Sequence, residues 1–401
     1  MVRSPLLLST QGSAWDGFAL KLGPISILIE EGIISEFLHG LEAVELVQEN
    51  DFAHHLDLGD RFLTPGLVDA HTHLLYGGDR SFERELRESG ASYLEILEAG
   101  GGIHATVNAT TETDDATLLS LAAQRLQIMR SWGTTTVETK TGYGLLAEEE
   151  MRHLRLYQDL KSTNASTIVP TYLGAHALPK GECRKDHIQS ILRTLHRVAE
   201  ESLSTRFDLF LERGAYRYQE ADTLFRLARS LGFDLTLHAG QFSDQAGGDL
   251  ALRHRAASLD HGEFLGSQDG ERFAEAGVAI GLLPTCNLYL ETGVQPQARK
   301  LIDHGVSLFL GTDHNPGSSP TLSLLEVAAI AHSHLEMSTQ EILLAMTSAP
   351  ARVLGLPTIG CLTPGAQGDV AVWNGGSSLF GISHQHSPLE SLFIGGVLST
   401  D

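Results

Sequence analysis

His71 and His73 stand two apart in the run Asp69-Ala70-His71-Thr72-His73, a spacing that could let both rings hold one metal ion. On an extended strand, residues i and i+2 project to the same side, and neutral imidazole is a common ligand for Zn²⁺ and Fe²⁺. The spacing alone is weak, because 19 histidines in 401 residues make an HxH pair expected about once by chance. Two further pairs act as internal controls: His332 with His334 in a helical pattern, and His384 with His386 in a C-terminal loop. On a helix, i and i+2 diverge, and all four of these residues are expected at the surface. Context lifts the first pair. It follows the apolar run Pro65-Gly66-Leu67-Val68, and three later strand-like runs also end in candidate ligands: 234–237 at His238, 257–260 at His261 and 306–310 at Asp313.

Four converging strand ends require an architecture that brings strand ends together. Apolar, strand-length runs occur at 66–70, 134–138, 167–173, 207–211, 234–237, 257–260, 278–283 and 306–310. Helical patterns lie between many of them. Residues 114–132 begin at Asp114-Asp115 and stop at Gly133, 147–161 carry acids first and Lys161 last, and 219–231 end at Gly232, all in keeping with helix start and stop chemistry. The expected fold class is α/β, a (β/α)₈ barrel with catalytic residues just past the carboxyl ends of the strands. A doubly wound sheet would favour a glycine-rich phosphate loop after the first strand, but neither GxGxxG nor GxxxxGK[ST] occurs, and Gly100–Gly102 reads as a flexible loop. Short β-branched stretches at 5–9, 17–37, 369–374 and 389–399 are broken by Gly and Pro. They predict a small β-sandwich formed by both termini, residues 1–60 with 355–401, around a barrel of 61–354.

Composition narrows the function classes. Twenty-eight Lys+Arg against 50 Asp+Glu give a net charge of −22, which argues against nucleic acid or an anionic membrane as partner. Cys183, Cys286 and Cys361 form no CxxC, and no run approaches a membrane-spanning helix. The expectation is a cytoplasmic protein acting on a small molecule.

The run Pro65-Gly66-Leu67-Val68-Asp69-Ala70-His71-Thr72-His73, with His238, His261 and Asp313, resembles the marks of the amidohydrolase superfamily. Within it, seven segments in order are similar to the imidazolonepropionase family: HTHLLYGGDR (71–80), SYLEIL followed by GGGI (92–103), KTGYG (140–144), YLGAHALP (172–179), HAGQFSDQAGG (238–248), SLDHGEF (258–264) and TDHNPGSSPT (312–321). The resemblance implies one Zn²⁺ or iron ion (Fe²⁺/Fe³⁺) held by His71, His73, His238 and Asp313. It implies that Arg80 clamps a propionate carboxylate, that Tyr143, His176 and Tyr93 contact the substrate, and that Asn315, Gly317 and Ser318 lie around the ring. It also implies a homodimer and metal-assisted hydrolytic opening of a cyclic amide.

Position 241 departs from part of that pattern. Some members carry Glu in this motif, whereas this chain has Gln241. An amide cannot take a proton, so Gln241 is limited to hydrogen bonding and proton transfer falls to His261, Asp313 or both. The rival readings are another single-metal amidohydrolase, such as a heterocycle deaminase or a different cyclic amidase, and a catalytically dead protein on the same fold. A two-metal site bridged by a carboxylated lysine is disfavoured. The run 207–211 leads to Glu212, expected to be structural, and the lysine near a strand end is Lys140.

Overall fold

Eight parallel strands form one sheet in which each neighbour in space is also the neighbour in sequence. They are Leu67–Asp69, Thr134–Lys140, Thr167–Ala175, Arg206–Leu211, Asp234–Ala239, Ser258–His261, Ala279–Leu282 and Leu308–Leu310, one for each expected run. The computed structural model describes residues 4–49, 52, 54–90, 101–266, 268–374 and 387–400. The first and eighth strands meet just past their ends. Asp313 N donates to His71 O (3.0 Å) and His73 N to His314 O (2.9 Å), and Thr72 and His314 form a parallel bridge. The barrel is therefore closed by the same backbone that carries three of the candidate ligands.

Helices lie between the strands where the start and stop signals place them. Asp114 caps Asp115–Ser131 by accepting from Thr117 N at 3.0 Å. Gly133, at φ 89°, then turns the chain into the second strand. A Cβ there would sit 2.5 Å from Trp373 Cη2, so only glycine lets the barrel begin that strand against the terminal sheet. The helix Tyr218–Ser230 buries Ala221, Leu224, Phe225 and Ala228, the three-and-four spacing of an apolar helix stripe. Leu209, Leu237, Leu259 and Leu310 from the strands join the same core.

The chain ends build two further sheets. One holds Ile33–His39, Ile25–Glu30, Leu6–Thr10 and His54–Asp57; the other runs Val397–Leu398, Leu389–Ile394, Val370–Trp373, Phe62–Pro65, Ser13–Trp15 and Leu20–Leu22. They share a separate core of Leu8, Ile25, Ile27, Leu63, Val370, Val372 and Phe393. The C-terminal strands join only the second sheet, and the helix Leu41–Glu49 had no expected counterpart. Among the described residues no helix is long and apolar enough to cross a membrane.

One buried histidine makes the fold acid-sensitive. Burial pushes His153, on the helix Ala147–Thr163, from the usual 6.5 down to about 3, with Arg152 adding to the effect. Its Nε2 has no hydrogen-bond partner among the described residues. The folded state thus disfavours the charged ring. The stability tied to His153 is complete above pH 6.5 and drains away as the pH falls towards 3, by up to about 1.4 kcal/mol per pH unit. His153→Leu is expected to reduce the fall in unfolding free energy between pH 6.5 and 4.5, read from urea denaturation, by about 2 kcal/mol. An unchanged slope would remove this account.

Candidate active site

The barrel brings the expected ligands to one point. Ala70 carries the first strand on into His71 and His73, and His238 lies within the fifth strand. Asp313 Oδ1 stands 3.5 Å from His71 Nε2 and 3.4 Å from His73 Nε2. One donor atom from each of His71, His73 and Asp313 lies within 4.8 Å of the others, and the same holds for His71, His238 and His261. Among the described residues, the buried Nε2 atoms of His71 and His238 have no hydrogen-bond partner. Such orphaned lone pairs are costly in a dry interior, and three imidazoles with a carboxylate are a donor set suited to one divalent ion. The residues present fit such a group.

Electrostatics separate the roles of these rings. Burial lowers His73 and takes His238 to about 3, overriding Asp208, so both are neutral donors. Burial and Lys140 press His71 down too, but Asp260 and Asp313 outweigh them and lift it to about 9. Burial would raise Asp313, yet the His71 and His73 rings beside its Oδ1 hold its carboxyl well below the usual range.

Two of the key residues occupy unusual backbone. His261 has φ 78° and Asp313 φ 50°, a left-handed region that non-glycine residues enter at a cost. Thr312 braces the second of them, donating from Oγ1 to Asp69 Oδ2 at 2.6 Å and from N to Asp69 Oδ1 at 3.2 Å.

Most of the expected substrate contacts line one cavity of about 90 Å³ with the ligands: Arg80, Tyr143, His176, Gln241, Asn315 and Ser318 stand around His73, His238, His261 and Asp313. Tyr93 lies outside the described residues. Arg80 is gripped by Glu83, with Nε to Oε1 at 2.7 Å and Nη2 to Oε2 at 2.9 Å. Its Nη1 lies against Gly317, where a Cβ would come within 1.9 Å; this explains a glycine at that position. His176 stacks on His73 with ring centroids 5.3 Å apart and is fixed through Nδ1 to Gly142 O at 3.0 Å. Burial raises the Tyr143 hydroxyl, which therefore stays a donor. Gln241 Nε2 donates to the buried Cys286 Sγ at 3.2 Å, leaving its carbonyl oxygen as the acceptor for a ligand.

Two expectations are refined. Asn315 spends its amide on the turn, Oδ1 accepting from Gly317 N and Ser318 N (2.8 Å each) and Nδ2 donating to Asp313 O and Ser318 Oγ (2.7 and 2.8 Å). It shapes the cavity wall and has no side-chain hydrogen bond to spare. Gly102 is not a loose loop: it is buried and its N–H donates to Glu83 Oε1 at 2.7 Å, while Gly100 lies outside the described residues. Glu212 is structural, as expected, accepting from Arg213 N, Phe242 N and Ser243 N at 2.8, 3.0 and 3.2 Å and from Ser243 Oγ.

Sequence reasoning missed the acids behind two of the candidate ligands. Asp260 Oδ2 meets His71 Nδ1 at 2.7 Å, and Asp208 Oδ2 lies 3.1 Å from His238 Nδ1. Carboxylates in this place orient ligand imidazoles. The one signal was an acid inside the otherwise apolar runs FDLFL and SLDH.

A (β/α)₈ barrel with three imidazoles and a carboxylate at its strand ends has the form of a metallohydrolase, and a model of the amidohydrolase family matches residues 62–396. Solved structures share the fold at low identity. A triazine hydrolase from Arthrobacter aurescens superposes with a TM-score of 0.76 at 18% identity, covering 99% of this chain and 94% of that one. The guanine deaminase of E. coli gives 0.74 at 16%, covering 98% and 99%. Much nearer in sequence are the imidazolonepropionases of Paracoccus denitrificans, 41% identical over 79% of this chain and 80% of that protein, and of Geobacillus thermodenitrificans, 37% identical over 90% and 87%. The chain belongs to the imidazolonepropionase family of amidohydrolases.

Proposed function

We propose that the protein hydrolyses 4-imidazolone-5-propanoate to N-formimino-L-glutamate in histidine degradation. The observation that carries this reading is Arg80, held by Glu83 at the wall of the same small cavity as His73, His238 and Asp313. A guanidinium there recognises a carboxylate appended to the reacting ring.

His71, His73, His238 and Asp313 would hold one Zn²⁺ or iron ion, which when bound brings the pKa of water towards neutrality and polarises a carbonyl. Arg80 binds the propionate, while the Tyr143 hydroxyl and His176 orient the ring. Water adds to the ring carbonyl carbon. The Asp313 carboxylate takes the proton released and returns it to the ring nitrogen as the C–N bond breaks. His261 stabilises the charge that develops on the carbonyl oxygen. Gln241 accepts a hydrogen bond from the substrate and holds no proton. Cys183, Cys286 and Cys361 are free thiols, in keeping with a reducing cytoplasm.

Fresh imidazolone propionate, followed by loss of its ultraviolet absorbance, tests the assignment. Arg80→Ala is expected to lower kcat/KM by about 10- to 150-fold, chiefly through KM, the value of a charge-assisted hydrogen bond. No turnover by the metal-loaded wild type would move the assignment to another cyclic amidase or a heterocycle deaminase.

A further inference from the structure

Lys140 ends the second barrel strand with its side chain out of contact with water, in a place where a cation is at first sight unwelcome. Its Nζ lies 2.8 Å from Glu138 Oε1, 2.9 Å from Asp208 Oδ2 and 3.8 Å from Asp260 Oδ2. Asp208 and Asp260 are the two carboxylates that face Nδ1 of His238 and His71, at 3.1 and 2.7 Å. Two short chains of close contacts therefore run from one ammonium group to the Nδ1 sides of two histidines.

A fixed positive charge beneath a cation site repels the cation, so the charge of Lys140 by itself weakens metal binding. Its placement has a different use. Three carboxylates converge in a dry interior, where they repel one another and turn apart unless a cation holds them. Were Asp208 and Asp260 to turn away, His238 and His71 would lose the partners that set their tautomer and ring orientation.

We infer that Lys140 is a positioning residue for the metal centre: it clamps Asp208 and Asp260 so that each presents its histidine with Nε2 towards the ion. This rests on the reading of His71 and His238 as ligands.

The two effects of Lys140 have opposite signs, which makes the inference testable by zinc affinity without reference to activity. The full-length wild type, Lys140→Met, Asp208→Asn and the double variant would be titrated with Zn²⁺ in competition with a chromophoric chelator. Urea midpoints recorded in parallel would report folding. Stoichiometric zinc binding by the wild type is the first requirement, and its failure would count against the ligand assignment, not against Lys140. Given that binding, Lys140→Met is expected to weaken zinc affinity about 10- to 100-fold, the usual loss when support for a ligand is removed. The same substitution should cost less in the Asp208→Asn background, where one of the two chains of contact is already cut.

A Lys140→Met protein that binds zinc as tightly as wild type, or more tightly, would overturn the inference; so would a lowered urea midpoint with unaltered affinity. Should Lys140→Met alone fail to fold, the double variant keeps the question open to measurement, because it removes one positive and one negative charge together. It must then bind zinc more weakly than Asp208→Asn, through the remaining Asp260–His71 contact. Equal or tighter binding would equally refute the role.

Discussion

Asp313→Asn is expected to leave a folded barrel whose kcat, at saturating metal, falls by about 10³- to 10⁴-fold, the upper range of a lost general acid–base group. Asparagine is the informative replacement because Asp313 sits at φ 50°, and Asn tolerates left-handed backbone where most residues resist it. The Asp313 N–H that bonds His71 O at 3.0 Å across the barrel seam is kept. What changes is the group facing His71 Nε2 and His73 Nε2 at 3.5 and 3.4 Å. An amide neither accepts a proton nor brings negative charge to a metal. Asp313→Ala should share the loss of rate and melt lower as well, by about 1 kcal/mol, for the strained backbone. A variant Asp313→Asn that keeps more than about a tenth of wild-type kcat, against the range expected for such a group, would transfer the proton role to His261.

His238→Ala is expected to remove both metal and activity. His238 is buried beside His71 and His261, with ring centroids 4.4 and 5.5 Å away, so its loss opens the middle of the donor set. Loss of an outer partner costs about 10- to 100-fold in affinity, and loss of a ligand should exceed that. The apo fold should survive, since the partner left behind, Asp208, still has Lys140 at 2.9 Å. A convenient readout is the stabilisation of the wild type by added zinc, about 4 kcal/mol at a thousand times Kd, which should vanish in the variant. A His238→Ala protein that turns over substrate with no bound metal would falsify the metal-assisted mechanism.

The alternation of apolar runs with capped helical segments was enough to place all eight barrel strands, because buried parallel strands read as short apolar stretches bounded by turn residues. The HxH control that falls among the described residues behaves as its local pattern indicates. His332 and His334 are exposed at the end of the helix Leu324–His334, while His384 and His386 lie outside the described residues. At the termini the strands were legible, but not their division. Phe62–Pro65 pairs with Val370–Trp373 across some three hundred residues of chain, and no local pattern encodes such a partner.

Within the site, the candidate ligand positions were legible because each is a polar residue at or just past the end of an apolar run, and the resemblance suggested their roles. Asp208, Asp260 and Glu138 were not. An acid inside a strand has the same local signature whether it faces a helix, a counter-ion or a histidine from another strand. Lys140 was noticed only as a lysine out of place for a two-metal bridge, and Asn315 only as a residue that the resemblance sets around the substrate ring. The structure shows its amide consumed by the turn.

The sequence by itself determined the barrel, the strand ends that carry His71, His73, His238, His261 and Asp313, and the family to which they belong. Each of these rests on periodicity and short motifs, which are properties of neighbouring residues. Only the folded chain shows how Glu83 holds Arg80 and that Lys140 lies among the acids beside His71 and His238. Those depend on side chains from different strands meeting in a dry interior, where an angstrom or a single charge decides the interaction and sequence spacing carries no trace of it.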